Sequence, residues 1–214
     1  MTPFEQQAAN EFVNLKAVSI QTGNPFTWGN GWRAPIYLDD RKILSYPATR
    51  NFFRRKMAQL VAEYFPEAEI IAGIATNAIA HGILVADQLA LPFVSVYPYP
   101  KNHGMENQIE GNLRLSQNVV IIENQVNMGE HILRAVEALR NSGCSVLGAI
   151  TLFDYDFPVA RESLTDVDVK LIALTNFPAL IQQLQSTNQY SSEVIDVLNT
   201  WHADPLNWNQ ECQK

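Results

Sequence analysis

Short apolar runs alternate with helix-length segments through the middle of this chain of 214 residues, and this alternation most constrains its fold. Buried strands are predicted at residues 70–74, 93–96, 119–122, 145–152 and 169–174, and helices at residues 47–65, 78–89 and 129–140. Apolar strands of this length, separated by helices, are typical of βαβ units in which a parallel sheet is covered on both faces. The sequence therefore predicts an α/β fold.

The remaining segments show other patterns. Apolar residues at helical spacing predict an amphipathic helix over residues 4–15, and a last helix begins near residue 191. Residues 23–35 are rich in glycine, asparagine and proline, which indicates turns. Residues 98–116 are polar and show no periodicity, and a loop of that length in a compact domain is usually functional or disordered.

Loops that follow three of the predicted strands carry the candidate ligand-binding residues. In an open parallel sheet, ligands bind at the carboxyl ends of the strands. The three loops are residues 75–78, the segment that begins at Tyr97, and residues 123–131. The third has the outline of a phosphate-binding motif, because a buried strand, an acidic residue and a short loop precede a helix whose first N–H groups attract anions. Loops of this kind occur in α/β proteins generally. The pattern alone therefore does not decide whether the ligand carries a phosphate group.

The charge balance argues against general nucleic-acid binding. Lys and Arg number 15 against 22 Asp and Glu, a formal net charge of -7, whereas binding to phosphates needs clustered cations. One basic cluster lies at helical spacing and is interpreted as a solvated face: Arg50, Arg54, Arg55 and Lys56. The two cysteines form no disulfide framework, and no apolar run is long enough to span a bilayer. We therefore expect a reduced, cytoplasmic protein.

Eight segments of the chain carry the pattern of a known family: residues 25–28, 31–47, 71–76, 91–94, 101–104, 107–111, 133–139 and 153–158. They closely resemble the orotate phosphoribosyltransferase family. The resemblance covers nearly the whole chain and includes a subgroup-specific match at residues 45–47 and 107–111.

This resemblance implies a type I phosphoribosyltransferase fold, with a parallel β-sheet core flanked by helices and a small hood formed by the terminal segments. The hood would comprise approximately residues 1–45 and 190–214, and the core approximately residues 46–189, within one domain. The implied reaction joins orotate to phosphoribosyl pyrophosphate (PRPP) and yields orotidine 5'-monophosphate and pyrophosphate, a step of pyrimidine nucleotide biosynthesis. The resemblance also implies Mg²⁺ that enters with PRPP, no metal held directly by the protein, and a homodimer in which the long loop of one subunit covers the neighbour's site.

The resemblance also assigns residues to roles. Lys101 and His103 match the family's cation and proton donor to the leaving group, although both could instead be solvated loop residues. Arg33 and Tyr37 match base-binding positions, and a packing role for Tyr37 is the alternative. The PRPP-binding positions are Thr76, Asn77, Glu123, Asn124, Asn127, Met128, Gly129, Glu130 and His131.

Several of these positions depart from the family pattern, and the departures fall on the phosphate subsites. Met128 cannot donate a hydrogen bond to phosphate, and Glu130 adds a carboxylate where the family has glycine. Two like charges about 4 Å apart repel by about 1 to 4 kcal/mol in media between water and a protein surface. Alternatively, a carboxylate in the first turn stabilises a helix, in which case Glu130 would occupy the positive end of its own helix.

Two main hypotheses remain open on the sequence alone. The first is an active orotate phosphoribosyltransferase with an atypical PRPP site, supported by Lys101, His103, Glu123 and Thr76. The second is a catalytically inactive paralogue with a ligand-binding or regulatory role, supported by the substitutions at the phosphate subsites. A weaker third hypothesis is a transferase that accepts a different or less phosphorylated donor.

Overall fold

The structure is a computed structural model that describes residues 2–99 and 108–208. The chain divides into two compact units, one formed by Met1–Ile43 with Pro178–Lys214 and the other by Leu44–Phe177. Among the described residues, no helix is both long and apolar enough to cross a membrane.

Helices and strands alternate through most of the chain. The helices are α1 (Pro3–Asn14), α2 (Pro47–Tyr64), α3 (Ile79–Leu89), α4 (Glu130–Asn141), α5 (Pro158–Thr165), α6 (Phe177–Ser186) and α7 (Ser192–Ala203), with a 3₁₀ helix at Asp40–Ser45. The strands are β1 (Val18–Ile20), β2 (Phe26–Thr27), β3 (Arg33–Ala34), β4 (Ile36–Leu38), β5 (Ile70–Ile74), β6 (Phe93–Val96), β7 (Ile109–Glu110), β8 (Asn118–Val126), β9 (Ser145–Asp154) and β10 (Lys170–Asn176).

A six-stranded sheet forms the core of the Leu44–Phe177 unit. Its strand order is β10-β9-β8-β5-β6-β7, and every neighbouring pair is parallel except β6 and β7. All five residues of β5 are buried, as expected for a central strand that helices cover on both faces. The predicted α/β fold with a parallel sheet is confirmed.

The strand that leads into the candidate phosphate loop is longer than predicted. The apolar run suggested residues 119–122, whereas β8 extends to Val126 because its pairing with β9 continues as far as the pair Val126 and Asp154. Glu123 and Asn124 therefore lie within a strand and not in the loop after it. Backbone pairing with a neighbour overrides the polar side chains that appeared to end the strand.

The sequence patterns did not reveal the short strands or α6. Strand β7 lies in the segment predicted as a long loop and pairs with β6, where Ile109 faces Val96. Strands β2 and β3 pair as an antiparallel ribbon within the turn-rich region, and β1 and β4 pair in the same way on either side of it. Strands of two or three residues are too short to show a period of two, so their pairing is visible only in three dimensions.

The Met1–Ile43 and Pro178–Lys214 unit is built around a fully buried tryptophan. The Trp201 indole N–H donates to the carbonyl of Arg33 at 3.1 Å, and its ring lies edge-on to Trp28 at 5.3 Å. Helix α1 begins with a capping box in which Thr2 and Glu5 exchange hydrogen bonds. The two tryptophans thus join the N-terminal and C-terminal segments of this unit.

Candidate functional site

Four loops leave the sheet side by side at one edge. Because β6, β5, β8 and β9 are consecutive parallel neighbours, their carboxyl ends lie next to one another. The loop 75–78 follows β5, Tyr97 follows β6, the loop 127–129 follows β8 and Asp154 ends β9. The structure therefore brings the three candidate loops together, as the parallel sheet predicts.

Glu123 is a carboxylate buried near the carboxyl end of β8, with only 3% of its surface exposed. Its Oε1 accepts a hydrogen bond from the backbone N–H of Asn124 at 2.8 Å. Its Oε2 lies 3.7 Å from Nδ1 of His131, whose side chain is 61% exposed. The attraction to Glu123 raises the pKa of His131, although burial of part of the ring opposes the shift. When His131 is protonated, it forms an ion pair with Glu123 across the loop between β8 and α4.

The loop between β8 and α4 holds its backbone in a conformation that suits glycine. Gly129 has φ 77°, in the left-handed region, and it forms the N-cap of α4 without a side-chain hydrogen bond. The Asn127 side chain accepts a hydrogen bond from the N–H of Met128 at 2.6 Å. Since the part of the chain that the structure describes offers no side-chain cap at this end, the first turn of α4 keeps backbone donors that could bind an anion.

The Glu130 carboxylate, in the first turn of α4, is bound by two side chains. Its Oε1 accepts hydrogen bonds from Nε and Nη2 of Arg134 at 3.0 and 2.9 Å. The same oxygen accepts a hydrogen bond from the Tyr99 hydroxyl at 3.0 Å. The Arg134 hydrogen bonds, followed by that of Tyr99, lower the pKa of Glu130. The carboxylate in the first turn is thus paired with a cation and a hydroxyl.

The loop after β5 presents exposed polar residues at the same edge. Thr76 and Asn77 are exposed, and the peptide bond between Ala75 and Thr76 is cis. The N–H of Ala75 donates to the carbonyl of Val96 at 2.8 Å, which joins this loop to the end of β6. The role of Thr76 and Asn77 in binding PRPP stays a prediction.

Tyr97 is held at the end of β6. Its hydroxyl donates to Glu110 Oε2 at 3.2 Å, and its N–H donates to the carbonyl of Gln108 at 2.8 Å. These contacts link β6 to β7, the strands that precede and follow residues 100–107 in the chain. Residues 100–107, which include Lys101 and His103, lie outside the described residues. The catalytic roles predicted for Lys101 and His103 therefore remain predictions.

Arg33 and Tyr37 lie in the unit of Met1–Ile43 and are both exposed. Arg33 Nη1 donates to Thr27 Oγ1 at 3.3 Å, across the β2–β3 ribbon. The Tyr37 ring is 39% exposed and lies 5.7 Å from the Phe26 ring, so it packs on one side and is open on the other. Arg41, whose guanidinium binds Asp39 at 2.7 Å, also reaches the Tyr37 hydroxyl at 3.5 Å.

The structure also reveals a titratable group that the sequence patterns did not identify. Asp154 ends β9 opposite Val126, and its Oδ1 accepts a hydrogen bond from the N–H of Asp156 at 2.8 Å. Burial raises the pKa of Asp154 to about 6, and the nearby Asp156 charge adds to the shift. An acidic residue at the end of a predicted strand was the available signal.

The described residues contain no group of three or more His, Cys, Asp or Glu side chains that could hold a metal ion.

We predict that Asp154 makes the protein less stable as the pH rises from about 4 to about 6. The folded state holds the Asp154 proton more tightly than the unfolded chain does. The contribution of protonated Asp154 to the free energy of unfolding is therefore complete below the unfolded pKa and is lost as the pH rises through the folded pKa. We expect a loss of about 2 kcal/mol, because one pKa unit is worth about 1.4 kcal/mol and the carboxyl is only partly buried. Urea unfolding between pH 4 and 8 measures this loss, and Asp154→Asn should abolish it. An equal fall in the variant would assign the effect to other groups.

Comparison with known proteins finds full-length relatives. The orotate phosphoribosyltransferase of Phocaeicola vulgatus is 44% identical over 208 residues, which cover 97% of this chain and 98% of the relative. That of Streptococcus pyogenes is 38% identical over 204 residues, or 95% and 98% of the two chains. The crystal structure of orotate phosphoribosyltransferase from Aeropyrum pernix matches with a TM-score of 0.74 at 24% identity, and covers 83% of this chain and 98% of that one. No protein-family model matches the chain.

Proposed function

Because this chain belongs to the orotate phosphoribosyltransferase family, we propose that it transfers the phosphoribosyl group of PRPP to orotate. The products are orotidine 5'-monophosphate and pyrophosphate, as in pyrimidine nucleotide biosynthesis. The observation that carries the proposal is the 44% identity to a curated relative over 97% of the chain. No finding favours the inactive paralogue, since the substituted phosphate loop retains backbone donors and the added carboxylate of Glu130 is bound by Arg134.

The chemistry is a displacement at the anomeric carbon of the ribose, through a transition state with sugar-cation character. The bond from that carbon to the pyrophosphate oxygen breaks, and a bond to a ring nitrogen of orotate forms. The protein must hold the phosphate groups, orient the ribose and exclude water, and positioning of this kind can supply about 7 to 11 kcal/mol of the barrier. A buried carboxylate aimed at the sugar also stabilises positive charge that develops in the transition state.

The proposal assigns a role to each group at the sheet edge. Glu123 and Asn124 accept hydrogen bonds from the ribose hydroxyls, because carboxylate and amide oxygens suit hydroxyl donors. The 5'-phosphate binds the backbone N–H groups at the start of α4, on a loop formed by Asn127, Met128 and Gly129 and flanked by Glu130 and His131. Thr76 and Asn77 bind the pyrophosphate.

Residues outside this edge complete the proposed machinery. Lys101 neutralises the departing pyrophosphate and His103 protonates it, by resemblance to the family. Arg33 and Tyr37 bind the orotate base, a role that suits the open side of the Tyr37 ring and the exposed Arg33 guanidinium.

Mg²⁺ is proposed to enter with PRPP. It prefers oxygen ligands and usually binds one or two carboxylates together with substrate phosphates. Glu123 and Asn124 carry side-chain oxygens at this edge that suit the ribose of the Mg²⁺–PRPP complex, and no residue is proposed to hold the ion directly. When bound, Mg²⁺ would offset the charge of the diphosphate. We further propose that the protein is a cytoplasmic homodimer, in which the long loop of each subunit covers the site of the other.

An orotate-consumption assay tests the proposal. The purified chain is incubated with orotate, PRPP and Mg²⁺, and the nucleotide and pyrophosphate are quantified by chromatography. We expect one orotidine 5'-monophosphate and one pyrophosphate for each orotate consumed, and no turnover when PRPP is omitted or EDTA is added. Light scattering during size exclusion should give twice the chain mass of 24.1 kDa. A folded protein that binds PRPP in calorimetry and forms no nucleotide would overturn the proposed reaction.

A further inference from the structure

Glu130, Arg134 and Tyr99 form a three-residue cluster beside the proposed phosphate loop, which we call the Glu130 clamp. Arg134 lies one helical turn after Glu130, so its guanidinium reaches back to the first turn of α4 and donates twice to Glu130 Oε1. The Tyr99 hydroxyl donates to the same oxygen at 3.0 Å. The Arg134 guanidinium also lies over the Tyr99 ring, 4.3 Å from its centre. Each member of the clamp therefore contacts the other two.

The clamp joins two different loops of the sheet edge. Glu130 and Arg134 belong to α4, which follows the phosphate loop after β8, whereas Tyr99 follows β6. Strand β5 lies between β6 and β8 in the sheet. The contact from Tyr99 to Glu130 thus spans the end of β5, from which the loop with Thr76 and Asn77 leaves.

The charge of Glu130 would otherwise oppose an anion at this end of α4. Its carboxylate sits in the first residue of the helix, directly after Gly129, where the backbone donors that attract phosphate begin. Arg134 places a positive charge beside that carboxylate, at 2.9 Å for the closer atom pair. Two hydrogen bonds from Arg134 and one from Tyr99 also fix the side chain against the flank of the helix. These contacts place a positive charge beside the carboxylate and hold it with three hydrogen bonds.

We propose that Arg134, with Tyr99, is a positioning residue that makes the phosphate loop tolerate Glu130. The clamp holds the carboxylate aside and neutralises it, and the 5'-phosphate of PRPP binds the α4 donors. Arg134 does not itself contact the ligand in this arrangement. The inference rests on the proposed function and adds a reason why a loop that carries a carboxylate can still take a phosphorylated sugar.

Arg134→Gln should weaken PRPP binding because it leaves the Glu130 charge uncompensated. We expect a rise of about tenfold in the Kd for PRPP with Mg²⁺, and in its KM, with kcat changed less than about threefold; tenfold corresponds to about 1.4 kcal/mol. Tyr99→Phe removes one of the three hydrogen bonds and should give a rise of about threefold. Arg140→Gln is the matched control, since Arg140 lies on the same helix and donates to the carbonyl of Val167 at 2.7 Å. It should bind PRPP as the unaltered protein does.

The double variant Glu130→Gln with Arg134→Gln separates compensation from direct contact. If Arg134 acts through Glu130, removal of both charges should return the Kd to within about threefold of the original value, and Glu130→Gln alone should bind at least as tightly. A double variant as weak as Arg134→Gln would mean that Arg134 binds the phosphate itself, and would overturn the inference. Unchanged binding by Arg134→Gln would overturn it as well.

The PRPP affinities of the single and double variants test the clamp separately from the proposed function. An unaltered protein that turns over orotate, together with an Arg134→Gln variant of unchanged Kd, would defeat the clamp and keep the transferase. PRPP binding that follows the predicted cycle without nucleotide formation would keep the clamp and defeat the transferase. A protein that fails to bind PRPP in every variant while circular dichroism shows it folded would defeat both.

Discussion

Glu123→Gln is expected to lower kcat/KM for PRPP about 100-fold. The variant keeps the shape of the side chain and an oxygen that can accept the Asn124 N–H, but it removes the charge of a residue that is only 3% exposed. Hydrogen bonds to a charged partner contribute about 1.5 to 3 kcal/mol each. The loss of the charge proposed to accept the ribose hydroxyls should therefore cost about 3 kcal/mol, or about 100-fold in rate. Steady-state kinetics with PRPP as the varied substrate measures the effect.

His131 provides a second readout of the same variant. The Glu123 carboxylate raises the pKa of His131, so the ion pair stabilises the folded state below the pKa of the unfolded imidazole and is lost as the pH rises through the folded pKa. In Glu123→Gln the pKa of His131 should fall toward its ordinary value. Imidazole proton shifts followed by NMR between pH 5 and 9, for both proteins, report this change, and no activity is needed to observe it.

Glu69→Gln is a matched control for Glu123→Gln. Glu69 also accepts a backbone hydrogen bond, from the N–H of Asn118 at 2.8 Å, but it does so at the amino end of β8. It should change kcat/KM less than about twofold, since ligands bind at the opposite end of a parallel sheet. Equal losses in the two variants would show that charge near β8 matters through stability alone. Unaltered kinetics in Glu123→Gln would remove Glu123 from the ribose site.

The sheet was predictable because its strands carry the signal in their own composition. Strand β5 is apolar at all five positions, and the strands β6, β8 and β9 have similar runs flanked by helical periodicity. Once the strands are parallel, the meeting of the loops after β5, β6 and β8 follows from geometry. This is why the residues Thr76, Tyr97 and Gly129 could be assigned to one edge from the sequence alone.

The electrostatics of that edge could be predicted only in part. The i, i+4 spacing of Glu130 and Arg134 permits an ion pair on any helix, so the sequence carries a signal for this pair of the clamp. The contact from Tyr99 depends on the order of β6, β5 and β8 in the sheet, which no local pattern reveals. A carboxylate expected to repel phosphate is bound by a cation because of the helical spacing, and by a hydroxyl because of that strand order.

Packing inside the sheet was also invisible in the sequence. Gly148 lies within the apolar run of β9 and shows nothing special there, because a glycine in a strand costs only entropy when space is available. In the structure the Phe65 ring, at the end of α2, lies where a side chain at this position would point. The requirement for glycine at position 148 therefore comes from the contact between the end of α2 and β9, two elements far apart in sequence.

Gly148→Ala is expected to destabilise the protein by about 4 kcal/mol. The added Cβ would overlap the Phe65 ring and would lie 2.7 Å from the backbone oxygen of Lys170 on β10. Overpacking costs about 1 to 3 kcal/mol and occasionally more, and a backbone neighbour that cannot rotate away places this case at the upper end. For a chain of this length we expect Tm to fall by about 8 to 16 °C.

Thermal and urea unfolding of Gly148→Ala should be compared with Gly23→Ala, where nothing lies within 4 Å of the added Cβ. The control should shift Tm by less than about 2 °C, since surface substitutions usually stay within about 0.5 kcal/mol. Adding Phe65→Leu to Gly148→Ala should recover part of the loss, because the smaller side chain vacates the space that the new methyl group needs. If the double variant were no more stable than the sum of the single losses predicts, the clash with the ring would not be the cause. The loss of stability would then come from strain against β10, the strand that pairs with β9.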